Sequence, residues 1–219
     1  MTYYPVFLNL EGRLVVVFGG GVIAERKVES LLACGAGVRV IALEATERLT
    51  TWAGAGTVEL HLRAYEPGDC RGAFVVIAAT DEPDTQRHIW EEAQACGCLI
   101  NTVDVPARCN FILPALVQQG DLTIAISTQG KSPAFAAWLR RVLAHWIGPE
   151  YRTLLEMLER LRPEIRRRVP DFDRRKRLYE SVLDPIQPER VRAEEVQRVE
   201  ARLREALSKT EDTDTRVQG

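Results

Sequence analysis

An apolar run, three glycines and a helical pattern follow one another near the start of the chain. Residues 13–19, RLVVVFG, are apolar and rich in β-branched side chains, which is typical of a strand buried on both faces of a parallel sheet. The next segment, VIAERKVESLLACGAG, carries apolar residues at helical spacing and ends on Gly35 and Gly37, which are helix-stop signals. A strand that turns through glycines into a helix predicts the opening of a βαβ unit.

The same alternation continues through the first half of the chain. Strands are expected at 38–44, 58–65, 73–80 and 99–104, and helices at 47–56 and 83–97. Thr80 and Asp81 are placed to cap the second of these helices. Because βαβ connections are right-handed, this pattern predicts an α/β fold, with a Rossmann-like doubly wound parallel sheet.

The second half of the chain has a different character. One strand is expected at 121–128, followed by a helix over 132–148 with Ser132 as its cap and Pro133 in its first turn. Beyond Glu150 the chain is rich in Arg, Glu and Leu at helical spacing, and the prolines at 163, 170, 185 and 188 are expected to break it into short helices. The predicted domains are 1–113, 114–148 and 149–207, with a flexible polar tail at 208–219.

The glycine turn matches the dinucleotide-binding pattern Gly19-x-Gly21-x-x-Ala24. The first glycine permits the tight turn, the second lets the backbone approach a pyrophosphate, and Ala24 allows the helix to pack closely on the strand. Glu44 ends the second strand, where an acid binds the ribose hydroxyls, and no Arg follows it directly, which favours NAD over NADP; Arg48 lies one helical turn further. A tight turn without a ligand is the alternative. The predicted cofactor-binding residues are Gly19, Gly21, Val22, Ile23, Leu43, Glu44, Ala79, Thr80 and Asp81.

Asp104 is a carboxylate at the end of the apolar run LINTVD. It follows a parallel strand on the edge where ligands collect in such sheets, so it is expected to face the same crevice as the nucleotide. A carboxylate in an apolar crevice can exchange protons near neutrality, whereas its alternative role is to turn the chain before Pro106. Asn101, three residues earlier, is expected to line this crevice as well.

The polar loop ISTQGKSP opens the helix at 132–148 and is a natural anion site, although a simple capping turn has the same pattern. Cations follow it along the helix, and such a run is typical either of a solvated helix face or of contacts with a polyanionic ligand. The predicted substrate-binding residues are Asn101, Ser127, Thr128, Lys131, Ser132, Arg140 and Arg141.

Composition narrows the class of partner. The formal net charge is −2, so no general attraction to nucleic acid or to an anionic membrane is expected. The N-terminal segment MTYYPVFLNLEGR does not read as a secretory signal, and the five cysteines, with no CxxC pair, fit a reducing compartment; a cytoplasmic protein is expected. The spacing of Cys96, Cys98 and Cys109 fits no common zinc pattern, and no resident metal is predicted.

Four ordered segments resemble the precorrin-2 dehydrogenase/sirohydrochlorin ferrochelatase family of siroheme synthesis. They are YPVFLNLEGRLVVVFGGGVIAERK, VVIAATD, INTVDVPARCNFILPA and LTIAISTQGKSPAFAAWLRR, and the resemblance covers about residues 4–145. Two positions depart from the family pattern: Gln86 stands where the family has an asparagine, and Gln129 replaces a glycine in the loop before Ser132.

The resemblance implies NAD-dependent oxidation of precorrin-2 to sirohydrochlorin, with Fe²⁺ as a second substrate in bifunctional members. It also implies a homodimer whose contact is supplied by 114–148, a small helical domain after it, and Asp104 as the acid/base or orienting carboxylate beside the tetrapyrrole. An NAD-sensing regulatory module without catalysis is the alternative from another class.

Overall fold

The structure, a computed structural model, describes residues 3–183 and 193–215. It divides into two compact units, Met1–Leu113 and Pro114–Gly219, so the first unit ends where the sequence analysis places the end of the nucleotide-binding domain. Among the described helices, none combines the length and the continuous apolar character that a bilayer span requires.

The first unit is built on a five-stranded parallel sheet in the order β3-β2-β1-β4-β5. The strands are β1 Leu14–Phe18, β2 Gly37–Ala42, β3 Val58–Leu62, β4 Val75–Ala78 and β5 Leu99–Thr102. The three central strands β1, β2 and β4 are almost wholly buried, as their unbroken apolar runs require. The predicted doubly wound fold is therefore confirmed.

Helices cover both faces of this sheet. They are α1 Val22–Ala33, α2 Glu47–Gly54 and α3 Pro83–Ala95. One face packs Ala24, Val28 and Leu49 of α1 and α2 against β1, β2 and β4. The other face packs Ile89 and Ala93 of α3 against the alternate side chains of the same strands. Because all strands are parallel, their carboxyl ends lie along one edge.

Two details of this unit differ from the sequence expectation. Helix α3 is capped by Glu82, whose carboxylate accepts hydrogen bonds from the amides of Asp84 (3.1 Å) and Thr85 (2.5 Å), and not by Thr80 or Asp81. Strand β5 ends at Thr102, because Asp104 adopts a left-handed φ of 61° that no strand can continue through.

The second unit opens with a hairpin of which only one strand was expected. Strand β6, Ala115–Gln119, pairs antiparallel with β7, Leu122–Ile126, through the two-residue loop Gly120–Asp121. A Gly-Asp pair between two alternating runs is a hairpin signal, so the sequence did contain the missing strand. Helix α4, Pro133–Trp146, packs on the hairpin through Ala136 and Leu139.

Three further helices complete the second unit: α5 Glu150–Arg168, α6 Phe172–Leu183 and α7 Ala193–Thr215. Pro163 lies inside α5 and does not break it, because Leu154, Leu161 and Ile165 pack the helix against its neighbours on both sides of the proline. Helix α7 runs through residues 208–215, where a flexible tail was expected. Pro185, Pro188 and residues 216–219 lie outside the described residues.

Candidate functional site

The three glycines after β1 bring the backbones of three strand ends together. A Cβ on Gly19, which has φ 117°, would lie 2.3 Å from the carbonyl oxygen of Ala79 after β4. A Cβ on Gly20 would lie 1.9 Å from the carbonyl oxygen of Glu44 after β2. Gly21 faces open space, with nothing within 4 Å of an added Cβ. Two glycines therefore serve close packing, and the third leaves room for a ligand.

Helix α1 begins at this turn without a side-chain cap. Its N-cap residue is Gly21, whereas α2, α3 and α4 are capped by the side chains of Thr46, Glu82 and Ser132. The first amides of a helix need acceptors, and an anion such as a phosphate supplies them. An uncapped helix beside an open glycine is the arrangement that a pyrophosphate requires.

Apolar side chains stand exposed around the turn. Val22, Ile23 and Leu43 have relative accessibilities of 56%, 49% and 75%, and Glu44 beside them is exposed. Apolar surface next to an anion site suits the flat rings of a dinucleotide, and Glu44 is placed for the ribose hydroxyls. The chain's own residues thus fit a pyridine nucleotide.

Arg48 is held by the acids of α1. Its guanidinium pairs with Glu29, lies 3.6 Å from a carboxylate oxygen of Glu25, and stacks 4.6 Å from the ring centroid of Trp52. The side-chain hydrogen bond with Glu29 is the main cause that raises the pKa of Arg48. These partners occupy the cation that the sequence places nearest to Glu44, which agrees with the expected preference for NAD.

The loop after β4 closes the site on the side of α3. Thr80 and Asp81 follow Ala79 along the carboxyl edge, and Asp81 is exposed. Gln86, at the position where the resembling family has an asparagine, donates a hydrogen bond from its amide to the carbonyl oxygen of Thr80 at 2.5 Å. The longer glutamine therefore holds this loop from within α3.

Asp104 lies in the turn after β5, on the same edge of the sheet. Its carboxylate was expected to lie among apolar groups, but Asp104 is exposed in the structure. It is one of two described non-glycine residues with positive φ, the other being Gln129. Left-handed backbone in a non-glycine residue costs about 1 kcal/mol and persists only where neighbouring structure enforces it.

Buried polar groups behind the turn hold the backbone of Asp104 in this left-handed conformation. Thr102 donates a hydrogen bond from its hydroxyl to the carbonyl oxygen of Arg108 at 3.0 Å. The buried thiol of Cys109 lies 3.2 Å from the carbonyl oxygen of Thr102 and 3.4 Å from that of Val105. Burial raises the pKa of Cys109, so it stays a neutral thiol. These contacts close the chain around Asp104.

Asn101 belongs to the same supporting structure. Its amide nitrogen donates to the carbonyl oxygen of Phe111 at 3.1 Å, and its side chain is half-buried. Asn110 extends the edge of β5 in a similar way, accepting from the amide of Ile100 at 2.8 Å and donating to the carbonyl oxygen of Cys98 at 3.1 Å. The structure thus gives Asn101 a role in holding the segment that carries Asp104.

Lys27 is a residue of this region that the sequence analysis did not single out. It lies on α1 four residues after Ile23, so the two share one side of the helix. Its side chain is half-buried; burial lowers its pKa, and the negative charge of Asp104 acts in the opposite direction. In the sequence, the four-residue spacing between Ile23 and Lys27 indicated that both lie on one side of the helix.

The remaining candidates lie in the second unit. Ser132 caps α4 by accepting from the amide of Phe135 at 3.2 Å, and Thr128 bonds both the amide and the carbonyl of Ser132 at 3.1 Å. Ser127 accepts from the amide of Gln129, which adopts a left-handed φ of 56°. Lys131, Arg140 and Arg141 are exposed.

Metal-binding side chains are not clustered in the parts of the chain that the structure describes. Within residues 3–183 and 193–215, the histidine, cysteine and carboxylate groups form no set of three or more that could hold a metal ion. Cys98 and Cys109 are buried, whereas Cys96 is exposed.

Comparison with protein families gives three consecutive matches. Residues 6–115, half of the chain, match the family described as "Putative NAD(P)-binding". Residues 119–145 match "Sirohaem biosynthesis protein central", and residues 150–207 match "Sirohaem synthase dimerisation region". The chain belongs to the siroheme synthase family of NAD(P)-binding proteins. The resemblance read from the four sequence segments is confirmed.

Curated members of the siroheme synthase family are similar over most of this chain. The siroheme synthase of Nitrosococcus oceani is 35% identical over 207 residues, which is 94% of this chain and 44% of that protein. The siroheme synthase of Pseudomonas putida strain W619 is 38% identical over 182 residues, which is 83% of this chain and 39% of that protein. The chain thus spans less than half the length of these relatives.

A solved structure shares the fold. SirC, described as a precorrin-2 dehydrogenase, superposes with a TM-score of 0.77 over 93% of this chain and 100% of its own, at 24% identity. The family match for the dimerisation region covers α5, α6 and most of α7. It does not cover 114–148, the segment to which the sequence analysis assigned the subunit contact.

Proposed function

We propose that this chain oxidises precorrin-2 to sirohydrochlorin with NAD⁺ as the acceptor. The observation that carries the proposal is the joint presence, at one edge of a parallel sheet, of an open glycine turn and an exposed carboxylate on a fixed backbone. The names and functions of the siroheme synthases and of SirC point to the same reaction.

The chain's residues would divide the work as follows. The free amides at the start of α1 hold the pyrophosphate, and Glu44 holds the ribose hydroxyls. Bound NAD⁺ supplies the hydride acceptor. When bound, the nucleotide would take up a hydride from a ring carbon of precorrin-2, and Asp104 would accept one proton from the macrocycle and pass it to water. The balance is one precorrin-2 and one NAD⁺ giving one sirohydrochlorin, one NADH and one proton.

Asp104 suits this role because its backbone is held while its carboxylate remains open to a ligand. A large macrocycle that settles on the turn excludes water and provides the apolar surroundings that the free chain lacks there. On the second unit, taken by itself, the exposed cations Lys131, Arg140 and Arg141 and the loop of Ser127, Thr128 and Ser132 are proposed as a separate site for tetrapyrrole carboxylates.

The direct test replaces Asp104 by asparagine, which has the same size and tolerates left-handed backbone. In an anaerobic assay with precorrin-2, we expect Asp104→Asn to bind NAD⁺ as the original chain does and to lose NADH formation by at least about a hundredfold. Asp84→Asn is the matched control, because Asp84 is an exposed carboxylate in the first turn of α3. NADH production by Asp104→Asn at the original rate would remove the assignment.

The same assay separates the other candidate functions. An NAD-sensing module would bind NAD⁺ and leave the absorption spectrum of precorrin-2 unchanged. Adding Fe²⁺, with a control that omits the protein, tests whether the chain also inserts iron into sirohydrochlorin; the ion would then be a substrate.

A homodimer is proposed on the match of residues 150–207 to a dimerisation region. Sedimentation should then give twice the mass of the 24.6 kDa chain. The cytoplasm is the proposed location, since both the pyridine nucleotide and five free thiols suit a reducing compartment.

A further inference from the structure

Among the residues that the structure describes, none pairs with the ammonium of Lys27. It takes part in no hydrogen bond and no ion pair with any described residue, although its side chain is half-buried. Partial burial of a charge costs free energy unless an opposite charge compensates it. A lysine that only contributed solubility would reach into water, as the exposed Arg26 beside it does.

The position of Lys27 on α1 explains where its ammonium reaches. Ala24, Val28 and Leu31 face the sheet, and Glu25 and Glu29 lie on the side of α2, where they hold Arg48. With 100° between successive residues, Ile23 and Lys27 lie on the opposite side of the helix. Helical side chains lean towards the N-terminus, so Lys27 extends towards the carboxyl edge of the sheet.

That edge also carries Asp104, and the two charges act on each other. Their interaction is long-range, because no ion pair within 4.0 Å joins them. A direct pair would neutralise both groups. The separation instead leaves one carboxylate and one ammonium at the same edge of the sheet, each able to contact a ligand.

We propose that Lys27 binds a peripheral carboxylate of the tetrapyrrole and thereby sets the macrocycle against Asp104. This inference rests on the proposed function, because precorrin-2 bears acetate and propionate groups around the ring whose oxidation Asp104 assists. An ammonium is a compact point charge on a flexible stem, which suits a carboxylate on a flexible arm. The pyrophosphate has its own donors in the amides of α1.

The test compares Lys27→Met with Arg26→Met, its matched control. Both variants remove one positive charge from α1, but Arg26 points away from the sheet edge. We expect Lys27→Met to raise KM for precorrin-2, and the dissociation constant for sirohydrochlorin in an absorption titration, by about tenfold or more, as loss of one charged contact does. Arg26→Met should change neither, and Lys27→Arg should recover part of the loss.

Two further readouts separate this role from a structural one. The dissociation constant for NAD⁺ should not change in Lys27→Met, and its Tm should be no lower than that of the original chain, because an uncompensated charge has been removed. Unchanged sirohydrochlorin binding in Lys27→Met would overturn the inference, as would a loss that falls on NAD⁺ instead.

The sirohydrochlorin titration also distinguishes a failure of the proposed oxidation from a failure of the proposed role of Lys27. If the original chain binds sirohydrochlorin and Lys27→Met weakens that binding, but precorrin-2 is not oxidised, the proposed reaction fails and the role of Lys27 stands. If precorrin-2 is oxidised equally by both proteins, the reaction stands and the role of Lys27 fails. If the original chain neither binds sirohydrochlorin nor oxidises precorrin-2, both proposals are overturned.

Discussion

At the scale of single residues, the backbone of Asp104 is as informative as its carboxylate. A φ of 61° is readily adopted by Gly and Asn and costs most other residues about 1 kcal/mol. Aspartate tolerates this conformation better than most residues do, and Thr102 and Cys109 fix the chain behind the turn. Alanine is therefore a poor probe of the carboxylate at this position, since it removes the charge and adds strain together.

This reasoning predicts a difference between two substitutions at one position. In urea titrations, Asp104→Ala should have a free energy of unfolding about 1 kcal/mol below that of Asp104→Asn, because only alanine disfavours the left-handed conformation. Both variants should be equally inactive, since both lack the carboxylate. Equal stabilities would show that the turn relaxes when Asp104 is replaced.

At the scale of elements, the turn after β5 should transmit a buried change to the site. Thr102→Val keeps the shape of the side chain but leaves the carbonyl oxygen of Arg108 without its donor, at a cost of about 1–3 kcal/mol. We expect kcat for precorrin-2 oxidation to fall while the dissociation constant for NAD⁺ stays the same, because the glycine turn is untouched.

The control for this variant is Thr50→Val on α2. The hydroxyl of Thr50 also donates to a backbone carbonyl, that of Thr46 at 3.1 Å, but it is exposed and water can replace it. Stability and kcat should both be retained there. A Thr102→Val protein that is less stable yet turns over normally would mean that the turn's support has no bearing on Asp104.

The contacts between α1 and α2 make a prediction about nucleotide choice. Glu25 and Glu29 hold Arg48, so the double variant Glu25→Gln/Glu29→Gln should release a guanidinium next to the ribose site. Guanidinium groups bind phosphate well, and we expect the affinity for NADP⁺ to rise by roughly tenfold, with that for NAD⁺ little changed.

Adding Arg48→Leu to that double variant should cancel the gain for NADP⁺. If the gain persists without the guanidinium, it comes from the loss of negative charge alone, and Arg48 has no part in the choice.

At this scale, some elements were predicted well from the sequence and others were not. The difference depends on whether an element is determined by a local sequence pattern or by packing against other elements. The parallel strands were predicted because buried strands need unbroken apolar runs and the edge strand β3 has an alternating one, and both are local patterns. Pro163 was misread because helix α5 is held by packing against other helices, which no local pattern records. The cap at Glu82 was missed because Thr80 and Asp81 offered equally good local signals.

The candidate site likewise combines features that a local pattern predicts with features that depend on the fold. Asp104 was found from its place after a strand, but its exposure and left-handed backbone depend on Thr102 and Cys109, which the fold brings behind it. Lys27 was missed because a lysine on an amphipathic helix usually points to water. Its half-buried side chain and its position relative to Asp104 distinguish it from the exposed Arg26.

At the scale of the whole molecule, the chain consists of two compact units with separate cores, and the nucleotide residues belong to the first. A ligand that binds only the folded form stabilises it by about 2.7 kcal/mol at a hundred times its dissociation constant. The four tryptophans report on both units, because Trp52 and Trp90 lie in the first and Trp138 and Trp146 in the second.

Two reporter proteins can therefore follow the units separately. The protein with Trp138 and Trp146 replaced by phenylalanine reports on the first unit, and the protein with Trp52 and Trp90 replaced reports on the second. With NAD⁺ at a hundred times its dissociation constant, we expect the unfolding free energy of the first unit to rise by about 2.7 kcal/mol and that of the second to stay unchanged. The physical reason is that α1, β2 and the loop after β4, where we propose that the nucleotide binds, share no core cluster with α5–α7 among the described residues. An equal shift in both reporters would show that the two units unfold as one cooperative body.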